Sequence, residues 1–364
     1  MITITPYTEE HKLQWDTYVE AHSRSTLFHL TSWKKVVEQS FGHKAYYLMA
    51  IGENPQLESC KRYPASNIQH PASSNQTVVG ILPLFRIKSF LFGHYLVSVP
   101  FAELGGVLAD DQKVEKRLLE KAIEIAQEIQ CDYLELRNKK EISNLYTKSL
   151  YFNFKREIFQ DLDENLKAIP RKARRMVRQG IKFGCISETG HQCFHDFYDI
   201  MALNYHKLGT PIFPRKFFKT FLQVFGNNAQ ILLIRNKDKI PIAAVLFFFF
   251  KDQVIPYYAG SDFEYRRLAP NDFMYWELMR HACEKEYKWF DFGRSKIDTG
   301  SYHFKRHWGF EPVPLAYQYH LVKAKELPNL SPANPKYKKK IELWRKLPLS
   351  LTKLLGPPIA RYLA

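Results

Sequence analysis

Long hydrophobic runs are missing from this 364-residue chain: the longest, Ile242 to Phe250, is far short of the ~20 residues that a membrane-spanning helix needs. No hydrophobic leader is expected either, because Met1-Ile2-Thr3-Ile4-Thr5-Pro6 runs directly into polar, charged sequence. The expectation is a cytoplasmic protein, at most peripheral at the inner face of a membrane. Cysteine is scarce, with five scattered residues and no CxxC pair, which argues against a disulfide framework and suits a reducing compartment. Cys185, His191, Cys193 and His195 lie close in sequence, but their spacing matches no common zinc finger, so free thiols and surface histidines are expected and no metal. Acidic residues are absent where basic ones are densest. Lys167 to Lys182 holds seven basic and no acidic residues, and Lys323 to Ala364 holds ten basic and two acidic. These two segments carry +15 of the net +16, so the excess is local and points to a polyanionic partner: phosphate, tRNA or an anionic membrane surface.

What is present is enough for packed cores, with 45% hydrophobic and 15% aromatic residues. The length suits two domains of ~150 residues each plus a tail. In the first half, helical periodicity runs over His11 to Ala21 and Ser32 to Gln39. Ala45 to Ile51 and Val78 to Lys88 read as neighbouring strands, and the Pro-, Asn-, Ser- and Gln-rich residues 52–76 between them read as an inserted loop. Tyr95 to Leu108 reads as extended. Lys113 to Gln130 is an amphipathic helix, followed by the alternating strand Tyr133-Leu134-Glu135-Leu136. The second half repeats that order. Strands over Gln230 to Arg235, Ile242 to Phe250 and Val254 to Gly260 precede a helix from Asn271 to Glu286 and the strand Trp289-Phe290-Asp291-Phe292. The reading is an α/β protein with domains over 1–155 and 156–322 and a basic tail over 323–364. In that tail Leu327 to Pro335 is too Pro-rich for regular structure, and a basic helix over Lys336 to Lys346 precedes a short amphipathic end.

Arg171, Arg174, Arg175, Arg178 and Lys182 recur at helical spacing and form one positive stripe, which needs an external polyanion or acids from elsewhere in the fold. Ala269-Pro270-Asn271-Asp272 marks a helix start with Arg266 and Arg267 just upstream, where free amides suit a phosphate or an oxyanion; a plain helix cap is the simpler alternative. After the strand, Gly293-Arg294-Ser295-Lys296 and Gly300-Ser301-Tyr302-His303-Phe304-Lys305-Arg306 crowd polar and cationic groups at the open end of an α/β sheet. Acyl transfer to an amine needs a proton acceptor, which Asp291 or His303 supplies, and positive charge for a tetrahedral oxyanion, which Lys305 or Arg294 supplies. Spacing does not choose among them, and a structural role for Asp291 beside Arg294 or Lys305 fits as well. Phe247 to Phe250 read as a strand buried on both faces.

Arg171-Lys172-Ala173-Arg174-Arg175 through Gly180, Ala269-Pro270-Asn271-Asp272, Phe290-Asp291-Phe292-Gly293-Arg294, and Phe304-Lys305 before Trp308-Gly309-Phe310 together resemble the FemAB family. Leu208-Gly209-Thr210-Pro211 and Phe101-Ala102-Glu103-Leu104-Gly105-Gly106 resemble its subgroup associated with PEP-CTERM/exosortase and exopolysaccharide systems. The resemblance covers nearly the whole chain. It implies tandem GNAT-like domains and acyl or aminoacyl transfer onto an amine of a peptidoglycan, cell-envelope or exopolysaccharide precursor. It implies no tightly bound cofactor, with aminoacyl-tRNA or acyl-CoA as donor. It maps the family's Phe-Lys pair near the acyl-transfer site onto Phe304 and Lys305, and it gives Lys34 or Lys35, just after Trp33, to holding a nucleotide-linked precursor. Arg171, Arg174, Arg175, Arg178, Arg267 and Asn271 complete the expected binding set. Two features depart from relatives. The coiled-coil arm that some members insert in the second domain is absent, which leaves tRNA open as donor. The glycine-rich loop by which acetyltransferases wrap coenzyme A is also absent, since the second domain has Arg267-Leu268-Ala269-Pro270 there. Two alternatives stay open: an ordinary acetyl-coenzyme A N-acetyltransferase, and a non-catalytic protein that holds a polyanionic carrier. The tail pairs Lys338-Lys339-Lys340 with Trp344, Leu351, Leu354 and Leu355, which suggests contact with an anionic membrane; docking as an ordinary C-terminal helix is the rival.

Overall fold

The computed structural model describes residues 2–53, 76–90, 92–328 and 337–363. Of the loop expected over 52–76, residues 54–75 lie outside the described residues and the ends, Gly52, Glu53 and Gln76, belong to strands; most of Leu327 to Pro335 lies outside as well. The chain forms two compact units: 1–38, 43–147 and 316–327 make one, and 39–42, 148–315 and 328–364 make the other.

The first unit begins with β1 (Thr3–Pro6), α1 (Lys12–Ala21) and α2 (Thr31–Phe41). Strands β2 (Lys44–Ala45), β3 (Leu48–Glu53), β4 (Gln76–Leu82), β5 (Phe85–Ser89), β6 (Gly93–Val97) and β7 (Leu108–Ala109) follow. Pro83 has no amide to give a ladder, so the single strand expected over Val78 to Lys88 is two, β4 and β5, and they belong to different sheets. Helix α3 (Gln112–Glu128) is started by Asp111, whose side chain accepts from the Val114 amide at 2.8 Å. Its buried face, Leu118, Leu119, Ala122, Ile125 and Ala126, closes over Leu48, Leu82, Leu96 and Leu134. Strand β8 (Tyr133–Asn138) then runs parallel to β6 over Tyr95–Val97, and β9 (Tyr146–Lys148) follows.

The second unit opens with β10 (Tyr151–Glu157), α4 (Leu162–Ala168), α5 (Arg171–Lys182) and β11 (Ile186–Thr189). Helices α6 (Phe194–Leu208) and α7 (Arg215–Phe225) lead to β12 (Ala229–Arg235), β13 (Pro241–Phe250) and β14 (Gln253–Ser261). Helix α8 (Pro270–Glu284) connects to β15 (Trp289–Lys296), then come α9 (Gly300–His307) and β16 (Val313–Pro314). The sheet order is β11-β12-β13-β14-β15-β10-β16, and Phe247 to Phe250 of its central β13 are all buried. The strand–helix–strand order β6-α3-β8 recurs here as β14-α8-β15, each with a parallel pair. Helix α5 turns Ala173, Val177 and Gly180 inward against α8, and a Cβ at Gly180 would stand 2.6 Å from Phe273 Cβ, so only glycine allows this approach.

Strand β17 (Ala316–Leu321), which follows the second unit in sequence, pairs with β8 in the first unit's sheet, while β10, which precedes the second unit's helices, pairs with β15. Fully buried Gln318 fastens β17: it accepts from Asn138 Nδ2 at 3.1 Å and the Ile142 amide at 2.9 Å, and donates to the Ser143 carbonyl at 2.9 Å. The C-terminal helices α10 (Lys338–Lys346) and α11 (Leu349–Ala360) both pack on α6.

Candidate active site

Strands β14 and β15 pair only at Gln253–Trp289 and Val254–Phe290, although β14 continues to Ser261 and β15 to Lys296. Beyond that point they part and leave a fork. Strand β14 also bulges there: Leu246 of β13 faces Tyr258 and Phe247 faces Pro256, so Tyr257 is the extra residue that bends the strand. The matching place in the first unit is filled by its own chain. Past Val97 the Ser98 amide bonds the Glu135 carbonyl at 2.8 Å, and Gly105 and Gly106 donate to the Arg137 carbonyl at 3.2 and 3.1 Å. The buried Arg137 guanidinium pairs with Glu135 at 2.8 Å and donates to the Ala102 carbonyl at 2.6 Å, pinning the segment. The glycine pair is obligatory, since a Cβ on Gly106 would lie 1.8 Å from Asn138 Oδ1. The first unit's fork is therefore closed by its own chain.

Asp291 is the first β15 residue beyond the fork. Its Oδ1 accepts from the Gly293 amide at 2.9 Å, and Asn153 Nδ2 stands 3.5 Å from its Oδ2. Burial pushes its carboxyl up from the ordinary range, against the Gly293 amide, Lys155, Asn153 and Lys305, which all favour the charged form. Lys155 donates to Gln253 Oε1 at 2.9 Å and lies 4.8 Å over the Trp289 ring. Lys305 is buried, and its Nζ donates to the carbonyls of Gly293 at 2.9 Å and Arg294 at 3.0 Å. The Arg294 guanidinium stacks 4.6 Å over Tyr151 and acts electrostatically on the buried Tyr258 phenol across the fork. Asn153 Oδ1 and Ser295 Oγ are buried with no hydrogen-bond partner among the described residues. Asn153, Lys155 and Gln253 are site residues that sequence reasoning misses. The signal for them is a Gln beginning an apolar strand and the alternation Asn153-Phe154-Lys155, but the pairing that brings β10 to β15 spans 138 residues between Asn153 and Asp291.

His303 does not join this group. It is exposed on α9 and lines a cavity of about 510 Å³ with Lys172, Arg175, Asp272, Phe304, His307 and Trp308. Asp272 receives the Trp308 indole N–H at 3.0 Å, so the Ala-Pro-Asn-Asp and Trp-Gly-Phe segments are tied by one bond. Burial raises the Asp272 carboxyl to about 6, opposed by that indole and by the residue's own amide. That amide, in the uncapped first turn of α8, is thus already served by a carboxylate. Ala269 takes the left-handed conformation at φ 52° where a glycine would be unstrained.

The basic stripe on α5 faces outward. Arg171, Arg175, Arg178 and Lys182 are exposed, and Arg174 donates to the Lys167 carbonyl at 3.3 Å; among the described residues no carboxylate pairs with any of the five. Of the stripe's arginines, only Arg175 lines the 510 Å³ cavity. Arg267 lines another, of about 440 Å³, with Lys182 and Lys237, and its carbonyl accepts from Gln179 Nε2 at 2.5 Å. Asn271 is exposed in the first turn of α8. Lys35 is exposed on α2 in the first unit, while Lys34 pairs with Glu9 and Glu38, both at 2.9 Å. Cys193 turns its thiol to the Glu188 carbonyl and His191 its ring to the Ala229 carbonyl; among the described residues no group of three His, Cys, Asp or Glu gathers as a metal site.

Residues 164–306 match the family described as Acetyltransferase (GNAT) domain. No curated protein matches the chain by sequence. Among solved structures, FemX is similar at TM-score 0.60 and 15% identity over 93% of this chain and 99% of that one. A tandem GNAT protein from the clavulanic acid biosynthesis pathway is similar at TM-score 0.53 and 10% identity, over 90% of this chain and 100% of the other. L-PGS from Bacillus licheniformis is similar at TM-score 0.50 and 10% identity, over 76% and 86%. The fold is α/β with tandem GNAT-like units, as the FemAB resemblance implied. No helix among the described residues is long and apolar enough to cross a membrane.

Proposed function

We propose that this acetyltransferase-fold chain passes an acyl or aminoacyl group to an amine on an anionic cell-envelope or exopolysaccharide precursor, with the bond made in the fork of the second unit. The observation that carries the reading is Asp291. It is the first residue past the parting of β14 and β15, and burial makes it a stronger base than an ordinary carboxylate. The amine nitrogen attacks the acyl carbonyl carbon and Asp291 takes the amine proton. The tetrahedral oxyanion then collapses with loss of the donor's oxygen or sulfur, which leaves with that proton. The bulge bends β14 away from β15 on this side of the fork, and Lys305 supports the oxyanion from behind by holding β15 through the Gly293 and Arg294 carbonyls. Asn153 orients the base.

The cations Lys172 and Arg175, with the outer stripe, hold the donor's phosphates, and His303 and Phe304 belong to that binding cavity. Aminoacyl-tRNA suits this surface better than acyl-CoA. No glycine lets the backbone wrap a pyrophosphate at Ala269–Pro270, and Asp272 already occupies its own amide. One observation favours the second reading, a non-catalytic carrier protein: the Lys305 ammonium is engaged by two carbonyls.

The test is single-turnover transfer from aminoacyl-tRNA and from acetyl-coenzyme A to nucleotide-linked amino-sugar precursors, followed by mass spectrometry. Asp291→Asn is expected to lower the rate by about 10²–10⁴-fold and to flatten its acid limb, with donor affinity unchanged. No transfer by the parent protein with any donor, together with tight donor binding, would establish the carrier reading instead.

A further inference from the structure

Helix α11 is apolar on two opposite faces, and the fold uses only one. Thr352, Gly356 and Ala360, four residues apart, are buried; a Cβ on Gly356 would meet the Ile212 amide nitrogen at 2.9 Å. Lys353 fixes the same docking by an ion pair to Asp199 at 2.7 Å, and His206 Nε2 donates to the Leu347 carbonyl at 2.9 Å. The C-terminal helices are therefore seated on α6 as ordinary structure. Docking leaves Leu351, Leu354 and Leu355 unexplained. They follow at i, i+3 and i+4, point to the side away from the buried row, and are 36%, 71% and 41% exposed. Leu343 on α10, 63% exposed, and Leu208 at the end of α6, 55% exposed, are bare as well, and Arg345 donates to the Leu208 carbonyl at 3.2 Å. A surface helix needs one apolar stripe to fold, and a second one in water marks something that covers it.

Charge identifies the cover. Residues 337–363 hold seven basic residues and one acid, Glu342, and Lys338, Lys339, Lys340 and Lys346 are exposed. A second copy meeting this face isologously would set those cations against themselves. An anionic lipid surface takes both features, with leucines entering the acyl boundary and lysines at the headgroups.

We propose that the outer face of α11, with the lysines of α10, is a docking surface for an anionic bilayer, so that the docked tail serves both the fold and the membrane. This does not depend on the chemistry in the fork. The test is co-sedimentation of the full-length protein with phosphatidylcholine vesicles with and without phosphatidylglycerol. Phosphatidylglycerol is expected to raise partitioning, and Leu351→Ser/Leu354→Ser/Leu355→Ser to reduce it by at least about tenfold. Replacing Lys338, Lys339 and Lys340 with Gln is expected to reduce it by about fivefold per cation. Leu354 is 71% exposed, so the single Leu354→Gln should melt with the parent and still lower partitioning, and it gives the reading if the triple variant, which also changes the partly buried Leu351 and Leu355, loses stability. Three results would each overturn the proposal. One is no sedimentation of the parent with phosphatidylglycerol vesicles. Another is binding that ignores the leucine changes. The third is a dimer in sedimentation velocity that the leucine variant abolishes.

Discussion

Replacing Asp272 with Asn keeps an acceptor for the Trp308 indole and removes a charge, so the cost of burying that charge can be measured alone. The carboxyl is raised from 3.8 to about 6, chiefly by burial. In the folded state it therefore holds its proton between those values while the unfolded chain has lost it. Stability then falls as pH rises from about 4 to about 6 and stays reduced above. A rise of that size corresponds to about 3 kcal/mol, and partial exposure brings this to about 2–3. Asp272→Asn is thus expected to be more stable than the parent by about 2 kcal/mol near pH 8 and equal to it near pH 4. Asp272→Ala also removes the acceptor and leaves the fully buried Trp308 indole N–H unpaired, so it should lie below Asp272→Asn by about 1–3 kcal/mol at both pH values. Urea unfolding of the three proteins at the two pH values supplies the numbers. An Asn variant with the same margin over the parent at both would refute the burial argument.

Lys305→Met should lower both melting temperature and transfer rate, because it frees two strand carbonyls as well as removing a cation; a variant of normal stability and about a hundredfold lower turnover would assign the ammonium to the oxyanion alone. Reversing Arg174 and Arg178 to Glu should weaken binding of mixed transfer RNA and lower the salt slope by about one per lost contact, with the fold intact; unchanged affinity and slope would return the stripe to a solvated helix face.

The helix–strand units are legible in the sequence because α3 and α8 bury one face each and the strands after them alternate, and both signals are local. The Phe247–Phe250 strand is legible for the same reason. Asp291 stands out as the one acid between two buried phenylalanines. Its partners do not, because Asn153 and Lys155 reach it through a strand pairing that no local pattern encodes. The bond between Asp272 and Trp308 is hidden in the same way, although each residue lies in a motif of its own. His303 reads beside the transfer site in sequence because it is two residues from Lys305. On a helix that spacing turns the two side chains to different sides, and His303 faces the α5–α8–α9 cavity instead.

The return of β17 to the first unit sets a timetable for the newly made chain. Asn138 meets Gln318 across 180 residues, so the ribosome releases β8 long before it releases the strand that covers it. At ordinary translation speeds that interval is roughly 10–40 s. During it β8 presents an open edge, and Asn138 and the Ile142 amide lack the glutamine that later satisfies them. The nascent first unit is thus open to pairing of that edge with other chains until β17 arrives. A cell that stalls synthesis within the second unit would accumulate a half-built sheet rather than a finished domain.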